Sequence, residues 1–333
     1  MILAGDIGGT KCTLVLFEED GSSLKPVHRI SLPTRGFPTL EALLADFQKL
    51  AQQDGVNLAN RQLKAAAFGV AAAIIGGRAL SNNLPWPVDS QSVATTLGLA
   101  PNRMLLLNDL VAAASSLAYL KPTDLMQLND AIAEDRAPKA LIAAGTGLGE
   151  AILFWDGTRY RVTPSEASLT DFAPRNDCEL LLLQSLRHRL PRVVTEEIVS
   201  GRGFRSIHQI IFPGVHHAFF DDPSVDPAAR ITQQAFEGTC SACEETLHIW
   251  MEAYGAEAGN MALRVLPFGG VYIAGGIALK ILPKLKDGSF VRAFTDKQKL
   301  SSQLAKIPIF VVLNEDAPVL GAAYEALAAV RAR

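Results

Sequence analysis

Two glycine-centred turns in this chain carry the makings of an anion cradle. The first is Gly5-Asp6-Ile7-Gly8-Gly9-Thr10-Lys11, between the apolar runs 2–4 and 12–17. Without a Cβ, adjacent glycines let backbone N–H groups come close to an oxyanion and point at it. The Thr10 hydroxyl adds a donor, and Asp6, at the end of the first run, could hold a hydrated magnesium ion through a water. These groups would cradle the terminal phosphates of a nucleotide. On this segment alone, an ordinary hairpin turn needing glycine for positive φ is an equal alternative. Gly145-Thr146-Gly147-Leu148-Gly149 repeats the plan between a second pair of apolar runs. Two such hairpins can grip a polyphosphate from both sides, which is a more specific signal than either one. Neither is a P-loop, because no G-x-x-x-x-G-K-[ST] run occurs. The second is not followed by a clear helix, which speaks against a dinucleotide fingerprint.

Other residues could act beside them. Asn108-Asp109 follows the apolar run 104–107. A carboxylate at the C-terminal end of a buried strand faces the crevice where α/β proteins bind ligands. There Asp109 could take a proton from a substrate hydroxyl as general base; capping of a helix that begins at Leu110 is the competing reading. Gly275-Gly276-Ile277, after the run 271–274, either lets a flat ring lie against backbone or is a plain turn. Glu166, in the small-residue loop Pro164-Ser165-Glu166-Ala167-Ser168, could reach a polyhydroxy ligand, and Glu196 and Asp171 are further loop acids. Acids in loops are more often simply solvated. Cys240-Ser241-Ala242-Cys243 reads as two residues on a helix face. A zinc site needs a second pair or nearby histidines, and nothing in the sequence ties His216-His217 to these cysteines. No Ser-His-Asp arrangement is evident.

The elements that must position these residues alternate. Strands are expected at 65–70, 104–107, 271–274 and 309–313, and both glycine turns read as β-hairpins. Helical spacing marks 39–51, 110–120, 179–190, 232–265 and 321–333, the fourth weakened by Gly255 and Gly259. The segment 212–230, rich in Pro, Asp and His, reads as an exposed connection. Interleaved strands and helices make the class α/β, and the repeated hairpin suggests two similar halves. The halves are expected as a small domain over 1–109, completed by the terminal helix 315–333, and a large one over 110–314.

With 333 residues, 49% hydrophobic and 20% charged, the chain is an ordinary globular protein of about two domains. Thirty-one Lys and Arg against 34 Asp and Glu leave a formal net charge of −3, which argues against nucleic acid as the main partner. Four cysteines are too few for a disulfide scaffold. The uncharged apolar stretch 65–77 falls short of the ~18 residues that a membrane helix needs. The first residues have no basic n-region, so no secretory signal is expected. A soluble protein of a reducing cytoplasm, without a membrane partner, is the expectation.

Taken together, these segments resemble the bacterial-type glucokinase family, within the sugar-kinase, actin and heat-shock-ATPase superfamily. The resemblance runs over nearly the whole chain. It rests on Gly5-Asp6-Ile7-Gly8-Gly9-Thr10, Asn83-Leu84-Pro85-Trp86, Asn108-Asp109, Gly145-Thr146-Gly147-Leu148-Gly149, Asp171-Phe172-Ala173-Pro174, Ser200-Gly201-Arg202-Gly203, Ala274-Gly275-Gly276-Ile277 and Leu320-Gly321. The zinc-binding Cys cluster of the related repressor/kinase family is absent. The resemblance implies two ribonuclease-H-like, actin-like ATPase domains around a central cleft. It implies transfer of the γ-phosphoryl of ATP to the 6-hydroxyl of glucose with Mg2+, and a homodimer. By the same resemblance Gly5, Asp6, Ile7, Gly8, Gly9, Thr10, Gly145, Thr146 and Gly147 would bind the phosphates, and Gly275 and Gly276 would lie by the adenosine. Asn83, Asn108, Asp109, Glu166 and Glu196 fall on sugar-contacting positions, Asp109 being the catalytic base.

The chain departs from the family at one loop. Members usually carry Gly-Glu-Gly-Gly-His where this chain reads Ser165-Glu166-Ala167-Ser168-Leu169. The sugar-binding His is thus Leu169, which makes no hydrogen bond. Ala73 also stands where Pro is common. These changes leave the ATP elements intact and keep two alternatives in view: a kinase of another sugar or polyol, and a weakly catalytic nucleotide- and sugar-binding regulatory protein.

Overall fold

The computed structural model describes residues 1–21, 23–56, 62–80 and 84–331. The chain folds as two compact units, Met1–Lys121 with Asn314–Arg333, and Pro122–Leu313. The sequence reading divides the halves after Asp109; the structure keeps the helix Asp109–Ser116 in the first unit, packed on the terminal helix Ala317–Arg331.

In the first unit, β1 (Ile2–Ile7), β2 (Lys11–Asp20) and β3 (Ser23–Pro33) form an antiparallel meander. β4 (Ala65–Val70) joins β1 in parallel. A small antiparallel sheet of β5 (Ala73–Ile75), β6 (Arg78–Leu80) and β7 (Val88–Asp89) follows. β8 (Met104–Asn108) then adds in parallel to β4, giving the order β3-β2-β1-β4-β8. The period of two along β1 decides what each face buries. Leu3 and Ile7 point toward Leu40, Leu43, Leu44 and Phe47 of the helix Leu40–Gln53, while Ile2 and Ala4 pack with Val319, Ala322, Ala323 and Ala326 of Ala317–Arg331. A sheet covered on both faces explains why β1 and β4 read as unbroken apolar runs.

The second unit repeats the plan. β9 (Leu125–Gln127) is an edge strand, and β10 (Lys139–Ala144), β11 (Leu148–Trp155) and β12 (Tyr160–Ser165) form the antiparallel meander. β13 (Val271–Ala274) and β14 (Ile309–Val312) add in parallel beside β10, in the order β12-β11-β10-β13-β14-β9. Each meander is thus extended by parallel strands on the side of its first member. This duplicated topology is what the repeated hairpin motif encodes.

Three local expectations need correction. The stretch 232–265 is two helices, Pro227–Phe236 and Ser241–Val265, broken at Gly238 with φ +63°. Gly255 and Gly259 do not weaken the second helix. They seat the helix Ser289–Thr295, since a Cβ on either would lie 2.4 Å from the Phe290 or Phe294 carbonyl oxygen. The segment 212–230 is more than an exposed connection. It buries Phe220, and its last residues already belong to the helix that starts at Pro227.

Candidate active site

The first hairpin ends β1 and begins β2. Its turn is tied by the Gly8 N–H donating to the Lys11 carbonyl (3.1 Å). Outside the turn, the Thr34 hydroxyl donates to the Gly8 carbonyl (2.6 Å) and the Thr34 N–H to the Thr10 carbonyl (2.9 Å). Neither Gly8 nor Gly9 has positive φ, so the demand of an ordinary left-handed turn does not explain the pair. Gly5 is buried and Ile7 points into the core, so both can offer only backbone, whereas Thr10 is exposed.

Asp6 pairs across the sheet with Gly69, and Val70 with Asn108, so Asp6 and Asp109 leave their strands at the same end, on either side of β4. Strands two places apart are about 10 Å from each other. Asp6 feels the Asp109 carboxylate. Burial first, and then the Asp109 carboxylate, push Asp6 up to about 6, against the pull of Lys11. Burial also raises Asp109, while the Leu110 N–H bonded to it pulls the other way. Asp109 does not cap the helix; Asn108 does, accepting from the N–H groups of Leu110 (3.0 Å) and Val111 (3.3 Å). Asp109 is the first helical residue. Its Oδ1 accepts from Leu110 (2.9 Å), and its Oδ2 has no hydrogen-bond partner among the described residues. The Asn108 amide also donates to the Ala72 carbonyl (3.2 Å). Asn83 lies outside the described residues.

In the second unit, the turn between β10 and β11 is closed by the Gly145 N–H on the Gly147 carbonyl (2.8 Å). Glu196 is not a solvated loop acid. Its Oε2 accepts from the Leu148 N–H (2.9 Å) and would lie 2.5 Å from a Cβ on Gly147, and its Oε1 accepts from Arg202. The Leu148 N–H at this turn is thus paired with a carboxylate oxygen of the protein itself. The Glu166 loop is joined to the Glu196 turn through the Thr195 N–H on the Thr170 carbonyl (3.0 Å). Glu166 is exposed, and so is Leu169, at 47%. Asp171 pairs with Arg192 at the surface (2.5 Å).

A cavity of about 540 Å³ opens beside the hairpin, within the range of small-molecule sites. Gly145, Thr146 and Gly276 line it together with Arg202, Phe204 and Ile277. Gly275 is more than a plain turn. Its φ is +90°, and a Cβ there would lie 2.5 Å from the Ala144 carbonyl, so only glycine lets β13 end against β10 at the cavity's edge.

The sequence reading missed two features here. Arg202 is one, present in the Ser200-Gly201-Arg202-Gly203 run but given no role of its own there. Glu150 is the other, an acid inside the apolar run of β11. It is buried, its Oε1 has no partner among the described residues, and burial with Glu257 nearby pushes it up to about 8. The unfolded chain releases this proton near pH 4.5 and the native state only near 8, so stability falls as pH rises between those values and levels off above them. Glu150→Gln should remove that slope. The variant should gain on wild type by on the order of 1.4 kcal/mol per pH unit crossed. Thermal unfolding at several pH values checks this; parallel profiles for the two proteins would refute it.

A protein-family model described as glucokinase matches residues 3–329. The chain belongs to the glucokinase family. It is 36% identical over 342 residues to a protein named glucokinase from Nostoc sp., covering 97% of this chain and 98% of that one. A solved glucokinase from an Antarctic psychrotroph has a TM-score of 0.85 at 25% identity, with 98% of each chain covered. The glucokinase from Balamuthia mandrillaris, solved in complex with glucose, shares the fold with a TM-score of 0.77 at 19% identity, covering 98% of this chain and 93% of that one. Membership in the glucokinase family makes the chain a sugar kinase that phosphorylates glucose with ATP, on the actin-like ATPase fold that the sequence resemblance implied.

Proposed function

We propose that Asp109 is the base of this glucokinase-type reaction and that the two glycine hairpins hold the triphosphate. The observation that carries the reading is the pair of half-buried carboxylates, Asp6 and Asp109, at the ends of strands flanking β4 and beside the first hairpin. Asp109 accepts the proton of the 6-hydroxyl, the sugar oxygen bonds to the γ-phosphorus, and the bond to the β,γ-bridging oxygen breaks to release ADP. Burial favours this role, since a carboxyl raised above its ordinary range is a better proton acceptor. Backbone N–H groups of Gly8 to Thr10 and of the Gly145 to Gly147 turn stabilise the charge on the transferring group. The reading requires both hairpins to reach one nucleotide.

The adenosine is assigned to the cavity beside Gly275 and Gly276. Its apolar wall includes Phe204 and Ile277, and Arg202 brings a cation. Asn83, Asn108, Glu166 and Glu196 are assigned to the sugar. Among the described residues Asn108 keeps one amide N–H for it, and the Glu196 carboxylate has lone pairs left for a hydroxyl beside those taken by Leu148 and Arg202. Mg2+ fits at Asp6, because the mutual repulsion of Asp6 and Asp109 is what a divalent cation relieves. Asp6 would hold it through a water, and when bound it neutralises charge on the phosphates. A cytoplasmic homodimer is part of the same reading; among the described residues no helix is long and apolar enough to cross a membrane.

The test is ADP release with ATP and magnesium, with and without glucose. Glucose should raise the rate by orders of magnitude and glucose 6-phosphate should accumulate with ADP in equal amounts. A rate indifferent to glucose would favour the regulatory alternative.

A further inference from the structure

Four side chains from separate parts of the second unit converge away from the nucleotide cavity. They are His208 from the helix Gly201–Ile211, His217 from the connection after it, and Cys240 and Cys243 at the start of the helix Ser241–Val265. One ligating atom of each lies within 4.8 Å of the others. Both cysteines are free thiols. This overturns the reading of Cys240 and Cys243 as mere helix-face residues unconnected to a histidine.

The geometry is specific. His217 Nε2 lies 3.5 Å from Cys240 Sγ and 3.6 Å from Cys243 Sγ. In a tetrahedral zinc site, Zn–S and Zn–N bonds of ordinary length put sulfur and nitrogen about 3.6 Å apart. His208 is completely buried, and neither ring nitrogen has a hydrogen-bond partner among the described residues. An imidazole without a partner in an apolar setting of Phe212 and Phe220 is costly, and an ion at the centre of the cluster would satisfy one of its nitrogens. The Cys243 N–H donates to Cys240 Sγ (3.2 Å), as suits a thiolate at a helix N-terminus. Gln234 Oε1, 3.3 Å from Cys243 Sγ, turned over would present its N–H₂ to a second thiolate. His216 is not part of the set; it pairs with Asp221.

We infer that His208, His217, Cys240 and Cys243 form a structural zinc site. Two thiolates and two imidazoles fill all four positions of a tetrahedral ion, so the site is closed and leaves no place for a substrate. Binding releases the protons of the two thiols and takes up zinc; no redox step is involved. The ion ties the connection after Ile211 to the helices on either side. One of these, Gly201–Ile211, supplies Arg202 and Phe204 to the cavity wall, and its Gly201 N–H bonds the Gly145 carbonyl (2.8 Å). The site therefore braces the wall of the nucleotide cavity from behind. Eight residues separate the two histidines, longer than zinc-finger spacing, which is why the sequence pattern conceals the site.

The test is elemental analysis of the purified protein with cobalt substitution as an independent readout. Wild type should carry about one zinc per chain, and Cys240→Ser/Cys243→Ser should fall below about a tenth of that. Zinc-stripped wild type titrated with Co2+ should develop thiolate-to-cobalt charge-transfer and intense tetrahedral bands that saturate at one equivalent and vanish on adding Zn2+. His217→Gln should weaken cobalt binding by about 10-fold or more, since a lost ligand costs at least as much as a lost supporting contact. Chelation should lower the melting temperature of wild type and leave that of the double variant unchanged. The wild-type measurements need no variant to fold. No zinc on the purified protein together with no charge-transfer band on Co2+ titration would overturn the site. So would a Cys240–Cys243 disulfide in protein purified without air, or equal zinc content in the double variant.

Discussion

Asp109→Asn should lower kcat for glucose phosphorylation by about 10²–10⁴-fold, the range that a positioned general base contributes. The Michaelis constants for glucose and ATP should change only a few-fold. Asn keeps the Oδ1 that accepts from Leu110, and Asn108 supplies the helix cap in any case, so the strand end and the helix start retain their geometry. What the variant loses is the ability to take a proton. The pH profile separates that loss from a structural one. Wild-type kcat/KM should decline on the acid side as the Asp109 carboxylate is protonated, at a pH above the ordinary carboxylate range because burial raises it. Asp6, pushed up to about 6 by burial and by the Asp109 carboxylate, also titrates on the acid side, so the limb carries both groups. In Asp109→Asn the residual rate should lose the part of that limb due to residue 109. A variant within ten-fold of wild type would remove Asp109 from the role of base.

Leu169→His should lower the Michaelis constant for glucose by about ten- to a hundred-fold, the value of one hydrogen bond to a sugar hydroxyl. Leu169 stands where the family resemblance puts a sugar-binding His, in the turn after Glu166, with 47% of its surface exposed. Its neighbours do not make good the loss. Ser168 is buried, and the Thr170 hydroxyl already donates to the Ala167 carbonyl (2.7 Å). The constant for ATP should stay the same, because the residues proposed to hold the nucleotide are elsewhere in the chain. Steady-state kinetics over a panel of hexoses and polyols gives both numbers. An unchanged constant for glucose would mean that the sugar does not meet residue 169. If wild type preferred another acceptor and the variant shifted toward glucose, Leu169 would be a specificity determinant.

How much of this was legible follows from what each residue type can signal alone. Strands buried on both faces announce themselves as apolar runs, so β1, β4, β8, β10, β13 and β14 are readable. β3 is not, because its exposed face breaks the run with Lys25, Arg29 and Ser31. The glycine hairpins are readable because each sets paired glycines between two apolar runs, and the cradle proposed for them needs backbone and so selects glycine. Asp109 follows the end of β8 as the apolar run before it suggests, and the competing reading of it as the helix cap fails because the cap is Asn108: both residue types favour that position, and only geometry decides. Glu196 looked like any loop acid, since its partners, the Leu148 N–H and Arg202, are set by tertiary packing. The His208, His217, Cys240 and Cys243 cluster was hidden for the same reason. Its ligands come from a helix, a connection and a helix start, joined by packing instead of a short spacing.

The most direct test of the catalytic account is a crystal structure with glucose and a non-hydrolysable ATP analogue bound together. The account predicts an Asp109 carboxylate oxygen at about 2.6–3.2 Å from the 6-oxygen of the sugar, with the γ-phosphate in line with that oxygen. It also predicts that both glycine hairpins donate N–H groups to the same nucleotide. A sugar bound away from Asp109, or a nucleotide touched by one hairpin alone, would contradict it.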